Sequence, residues 1–146
     1  MNSVLFSSKK EEWETPQDLF DELNREFSFT VDVAALPENA KCSRYYTPET
    51  DGLLQDWTGE TVWCNPPYGS KIVDFVRKAA QSKAKTVMLI PSRTDTRWFH
   101  EYIYGKENVK IRFIRGRLKF GGGTNSAPFP SMIVIFDNME ADKEGR

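Results

Sequence analysis

Leu19, Phe20 and Leu23 fall at helical spacing behind Thr15 and Pro16. A threonine suits an N-cap and a proline suits a first helical turn, so a helix is expected to begin here. Phe29 to Ala34 reads as a strand ending near Asp32, Pro37 to Ala40 as a loop or short helix, Lys41 to Tyr46 as a short strand, and Thr47 to Gly52 as a turn. Thr61 to Cys64 is a short apolar strand cut off by Asn65-Pro66-Pro67-Tyr68-Gly69. Apolar residues at 72, 73, 75, 76, 79 and 80 predict a helix from Ile72 to Gln81. Thr86 to Ile90 is a buried-type strand stopped by Pro91, and Thr96 to Tyr104 is expected to be helical. Val109 to Phe113 is a strand whose continuation to Phe120 breaks or bulges at Gly116. Gly121 to Pro130 is a loop, and Met132 to Phe136 a last apolar strand. Apolar strands alternating with helices predict an α/β fold, with a mainly parallel sheet and helices on both faces. Ligands of such sheets sit at the carboxyl ends of the strands, so Asp32, Asn65 and Ser92 could share one cleft.

Composition narrows the class. The 146 residues are 39% hydrophobic and 28% charged, which fits one globular domain over 1–146 without a separate target-recognition domain. Residues 1–12 and 138–146 are expected to be loose ends. No apolar run approaches a membrane span and no signal peptide is evident. Cys42 and Cys64 lack metal or redox spacing, which predicts a reduced, cytoplasmic chain, and the single His100 completes no metal site. A net charge of −1 excludes a binder held by bulk charge. Charge is local, however: Lys110, Arg112, Arg115, Arg117 and Lys119 follow one another with no acid among them. They suit either a grip on phosphates or a charge-protected edge strand. Arg93, in Ser92-Arg93-Thr94-Asp95, suits a DNA contact or lies in a helix cap.

The chemistry is concentrated in Asn65-Pro66-Pro67-Tyr68. Two prolines remove two backbone donors and stiffen the turn. The Asn65 side-chain oxygen and the Pro66 carbonyl then become fixed acceptors beside the flat ring of Tyr68. A ring-bound amine is a poor nucleophile because its lone pair is delocalised. Two acceptors on its N–H bonds draw the nitrogen toward a tetrahedral shape and stabilise its growing positive charge. The Tyr68 ring can hold the base in line with a methyl donor, for direct transfer without a covalent intermediate. A rigid structural loop is the plain alternative. The motif itself leaves open a guanine amine in RNA, a cytosine N4, a glutamine amide, or a nucleic-acid-binding relative without catalysis.

The wider set of motifs resembles the phage and prophage family of Dam-type DNA N6-adenine methyltransferases. The resemblance runs from Trp13 to Asp137. It rests on Trp13-Glu14-Thr15-Pro16, Asp32-Val33-Ala34-Ala35 with Asn39-Ala40-Lys41-Cys42, Asp51-Gly52-Leu53 with Asp56-Trp57, Trp63-Cys64-Asn65-Pro66-Pro67-Tyr68, Leu89-Ile90-Pro91 and Gly116-Arg117-Leu118-Lys119-Phe120. It implies a compact Rossmann-like fold that binds S-adenosylmethionine and methylates N6 of a flipped adenine in double-stranded DNA. It implies that Thr15 and Pro16 border the methionine end of the cofactor. It further implies that Asp32, Ala34 and Ala35 take the place of the usual cofactor loop, that Asp56 approaches the cofactor's adenine, and that Asn65 to Tyr68 hold the target base. Trp13 would lie over the cofactor or staple the first helix. The chain departs from most methyltransferases in carrying Val33-Ala34-Ala35-Leu36-Pro37 where they have Gly-x-Gly. So short a chain would read DNA through loops, through Arg115, Arg117 and Lys119, or through a second subunit in a homodimer.

Overall fold

The structure, a computed structural model, describes residues 13–122 and 126–139. Helices α1 (Gln17–Phe27) and α2 (Ile72–Gln81) accompany strands β1 (Val31–Asp32), β2 (Thr61–Cys64), β3 (Lys85–Pro91), β4 (Val109–Phe113) and β5 (Ser131–Asp137). The strands form one sheet in the order β1-β2-β3-β5-β4. β1, β2 and β3 pair in parallel, while β5 lies antiparallel to both β3 and β4. The sheet is therefore mixed, not mainly parallel by pairing. Antiparallel neighbours such as β4 and β5 can be joined without a helical crossover.

Each central strand is apolar on both sides because each side of the sheet is covered. Val62, Cys64, Met88, Ile90, Met132 and Val134 share one cluster with Ile72, Phe75, Val76 and Ala79 of α2. Trp63, Val87, Leu89, Ile133 and Ile135 share the other with Phe20 and Leu23 of α1. Strand side chains alternate between faces, so continuous apolar runs here mean burial on both. Each large side chain so buried contributes about 1.5–3 kcal/mol.

Several local expectations change. α1 starts behind Pro16 with no side-chain cap, and the Thr15 hydroxyl turns instead toward Asn65. β1 is only two residues long, and the expected strand over 41–46 is reduced to a bridge between Tyr45 and Asp32. The helix expected over 96–104 is centred on a π-helical turn, Phe99–Ile103, closed by the Tyr104 N–H on the Phe99 carbonyl at 2.8 Å. Asn138, expected to open a loose tail, is anchored. Its side-chain amide donates to the carbonyls of Ala79, Ala80 and Ser82 at 2.8–3.1 Å and so closes the C-terminus of α2. The ends expected to be loose otherwise lie outside the described residues, apart from Met139.

Candidate active site

Two adjoining cavities open at the carboxyl ends of β1 and β2, sharing Ala34 and Asn39 as wall. The larger has a volume of about 510 Å3. Val33, Ala34, Ala35 and Leu36 line one side, Asp51, Gly52 and Leu53 another, and Pro67, Tyr68 and Phe75 a third. The smaller, about 40 Å3, is lined by Trp13, Thr15, Asp32, Lys41, Trp63 and Asn65 among others.

The loop after β1 owes its course to Asp32. This carboxylate is only 3% exposed. It accepts from the Ala34 N–H at 3.2 Å and the Lys41 N–H at 3.0 Å, folding 33–41 back on itself. Burial raises its pKa, and the two backbone donors oppose the rise. Gly52 completes the wall from the other side. A Cβ there would stand 2.0 Å from the Val33 carbonyl oxygen, so only glycine permits this approach. Its own carbonyl accepts from the buried Trp57 indole at 2.9 Å. Gly52 thus packs the 51–53 segment directly against the loop after β1.

Asn65 leaves β2 with its amide held on one side only. Its Nδ2 donates to the Trp13 carbonyl at 2.6 Å and to the Thr15 hydroxyl at 3.0 Å. Its Oδ1 is buried and, among the described residues, unpartnered. A buried acceptor without a protein partner is costly. Tyr68 fixes its ring by donating from Oη to the Leu89 carbonyl at 3.2 Å. Burial holds its phenol well above the ordinary range, so it stays protonated. The ring belongs to an aromatic platform. Trp13 stacks toward it at 6.5 Å between centroids, and Phe129 and Phe120 meet it edge-on at 5.5 and 6.3 Å.

The neighbouring thiols are unsuited to nucleophilic attack. Burial pushes Cys42 up to about 12 with help from the Asp32 charge, and the same causes raise the fully buried Cys64. Among the described residues no group of three or more His, Cys, Asp or Glu could hold a metal, and no helix is long and apolar enough to cross a membrane.

The structure thus places Trp13, Thr15, Asp32 and Asn65 around the smaller cavity and Ala35, Pro67 and Tyr68 around the larger, with Ala34 in the wall of both and Pro66 buried. Pro16 lines neither cavity. Asp56 is exposed and outside both, its carboxylate accepting from the Thr58 N–H at 2.9 Å, as in an ordinary turn. Arg115, Arg117 and Lys119 do not share a strand face, because β4 ends at Phe113 and Gly116 turns the chain at φ 75. They and Arg93 are exposed. Arg117 leans on the Ala127 carbonyl at 3.4 Å, and Arg112 is paired with Glu26. Phe120, Phe129 and the Asp51–Leu53 wall escaped prediction as site residues. Asp51-Gly52 carries a turn signal and Phe120 ends the Gly116 to Phe120 motif, whereas Phe129 carries no local signal.

The larger cavity, walled by Pro67 and Tyr68, and the smaller one, which Asn65 lines, thus adjoin at the strand ends of an α/β domain with a mixed sheet. The family model described as DNA N-6-adenine-methyltransferase (Dam) matches residues 2–144, so the chain belongs to that family. It is 35% identical over 95 residues to the "DNA N-6-adenine-methyltransferase" of Escherichia phage T1, covering 61% of this chain and 39% of the phage protein. It is also 35% identical over 65 residues to "Putative methyltransferase YfdM" of Escherichia coli (strain K12), covering 40% of this chain and 71% of that one. The chain therefore matches well under half the length of the phage relative.

Proposed function

We propose that this chain transfers a methyl group from S-adenosylmethionine to N6 of adenine in double-stranded DNA, on a compact Rossmann-like framework. The observation that carries this proposal is the Asn65 amide, donor side tied down and acceptor side buried and open, one residue before Pro66-Pro67-Tyr68. Membership of the Dam family supports adenine in DNA over other planar nitrogens.

The larger cavity fits the proposed donor. Its volume lies within the ~300–1,000 Å3 usual for small-molecule sites. Val33, Leu36, Leu53 and Phe75 offer apolar walls to a purine, while Asn39, Thr47 and Asp51 offer polar groups to sugar hydroxyls and an amine. When bound, the cofactor supplies a methyl group on a sulfonium, which needs no metal to be electrophilic.

The protein's own contribution is positional and electrostatic. Asn65 Oδ1 and the Pro66 carbonyl accept the two N6 hydrogens and stabilise the charge developing on the nitrogen, an effect worth about 2.7–4 kcal/mol per preorganised partner. The platform of Tyr68 and its aromatic neighbours stacks the extruded base, offsetting an extrusion cost of a few kcal/mol. No side chain has to act as a strong base, since the ammonium product releases its proton to water. Exposed Arg93, Arg115, Arg117 and Lys119 supply phosphate contacts.

The test is to incubate the protein with unmethylated DNA, RNA and protein pools and labelled S-adenosylmethionine, then digest the products to nucleosides and amino acids. N6-methyldeoxyadenosine from DNA alone is expected. Label in another base, in RNA or in glutamine, or no label despite DNA binding, overturns the assignment.

A further inference from the structure

We infer that Thr15 is a positioning residue, whose hydroxyl, with the Trp13 carbonyl, locks the Asn65 amide so that its oxygen faces the target amine. This rests on the proposed methylation of an amine. A backbone carbonyl can only accept, so the Asn65 atom 2.6 Å from Trp13 must be the NH2 nitrogen. The second N–H finds the Thr15 hydroxyl at 3.0 Å. Flipped by half a turn, the amide would set oxygen against the Trp13 oxygen and present its NH2, a donor, to a substrate amine that also donates. The Trp13 carbonyl therefore selects the orientation, and the Thr15 hydroxyl, able to donate or accept, holds the amide in the position so selected. Thr15 is free for this task because it makes no cap bond to α1, and it is 4% exposed, so water does not compete for its hydroxyl. The segment carrying it is braced by the Gly121 N–H on the Glu14 carbonyl at 2.8 Å. Half of the lock is backbone, and Thr15 is the half that a substitution can remove.

The experiment compares Thr15→Val, which keeps the shape and deletes the hydroxyl, with Thr15→Ser, which restores it. In Thr15→Val, kcat is expected to fall about 10- to 100-fold, while KM for DNA and Kd for S-adenosylmethionine stay within about threefold of wild type. Thr15→Ser is expected to recover kcat to within about threefold. A readout independent of turnover is hydrogen exchange of the Asn65 side-chain NH2 by 15N NMR, assigned by its absence in Asn65→Ala. Exchange should be slow in wild type and Thr15→Ser, and about tenfold or more faster in Thr15→Val. Full kcat in Thr15→Val, equal impairment in Thr15→Ser, unchanged exchange, or a loss confined to cofactor affinity overturns the positioning role. Should wild type methylate something other than DNA adenine, the proposed function fails. The Thr15 comparison is then made on the group that is methylated, and the exchange measurement stands without any substrate.

Discussion

Asn65→Ala separates the chemical from the structural share of the site. Truncation removes one preorganised acceptor, worth about 2.7–4 kcal/mol in the transition state, so kcat should fall by roughly 10²–10³. It also deletes the donor to the Trp13 carbonyl at 2.6 Å and the donor to the Thr15 hydroxyl at 3.0 Å. At about 0.5–1.5 kcal/mol per net hydrogen bond, the fold should lose roughly 1–3 kcal/mol. A domain of this size shifts by about 2–4 °C in Tm per kcal/mol, so a fall of roughly 2–12 °C is expected. Cofactor affinity should change by less than about threefold, because Asn65 does not line the 510 Å3 cavity. The assay is transfer of labelled methyl to unmethylated DNA at a temperature well below both transitions, with titration calorimetry for S-adenosylmethionine and a thermal melt. A variant that melts lower yet keeps kcat within about threefold of wild type would refute the acceptor mechanism. Loss of cofactor binding in step with kcat would show that Asn65 belongs to the cofactor site instead.

Gly52→Ala forces a methyl group against the Val33 carbonyl, so overpacking of about 1–3 kcal/mol should appear as a lower Tm and weaker cofactor binding. A variant unchanged in both would mean that the wall yields freely. Glu60 is held below its ordinary value of 4.5 first by its hydrogen bond from Arg44, then by that from Thr30. A lowered folded pKa stabilises the fold above about pH 4.5, and that contribution is lost as pH falls through the folded value. Denaturant melts should therefore show wild type exceeding Glu60→Gln by up to about 1 kcal/mol at neutral pH, and the gap closing below pH 4.5. A gap that widens on acidification would contradict this. Cys42→Ala should leave kcat within about twofold, and thiol alkylation of wild type should be slow at neutral pH, since burial keeps the thiol protonated. Arg115→Ala with Lys119→Ala should weaken DNA binding evenly across sequences and lower the salt slope by about 1 for each phosphate no longer neutralised, read from binding isotherms over a salt series. An unchanged slope places these two side chains away from the phosphates.

Local chemistry was legible from the chain alone. The apolar run ended by Asn65-Pro66-Pro67-Tyr68 announced a strand, a stiff turn and two acceptors, because proline geometry and side-chain donors and acceptors are properties of neighbouring residues. The helical spacing from Ile72 to Gln81 and the apolar strands on either side were equally local. Which way β5 runs was not, since an apolar strand buried on both faces reads alike in either direction. The task of Thr15 could not be read either. A threonine before a proline is a good helix cap by local rules, but Asn65, fifty residues away in sequence, arrives in space as the better partner. Likewise Asp56 and Asp51 are alike in the sequence, each able to begin a turn. Only the fold, by bringing Gly52 against Val33, sets Asp51 in the cleft wall and leaves Asp56 in solvent. The sequence by itself determined the strand, the stiff turn that ends it and the amide that the turn carries. Tertiary packing decided which way the Asn65 amide faces and what stands around it, because those depend on contacts between segments that no local pattern encodes.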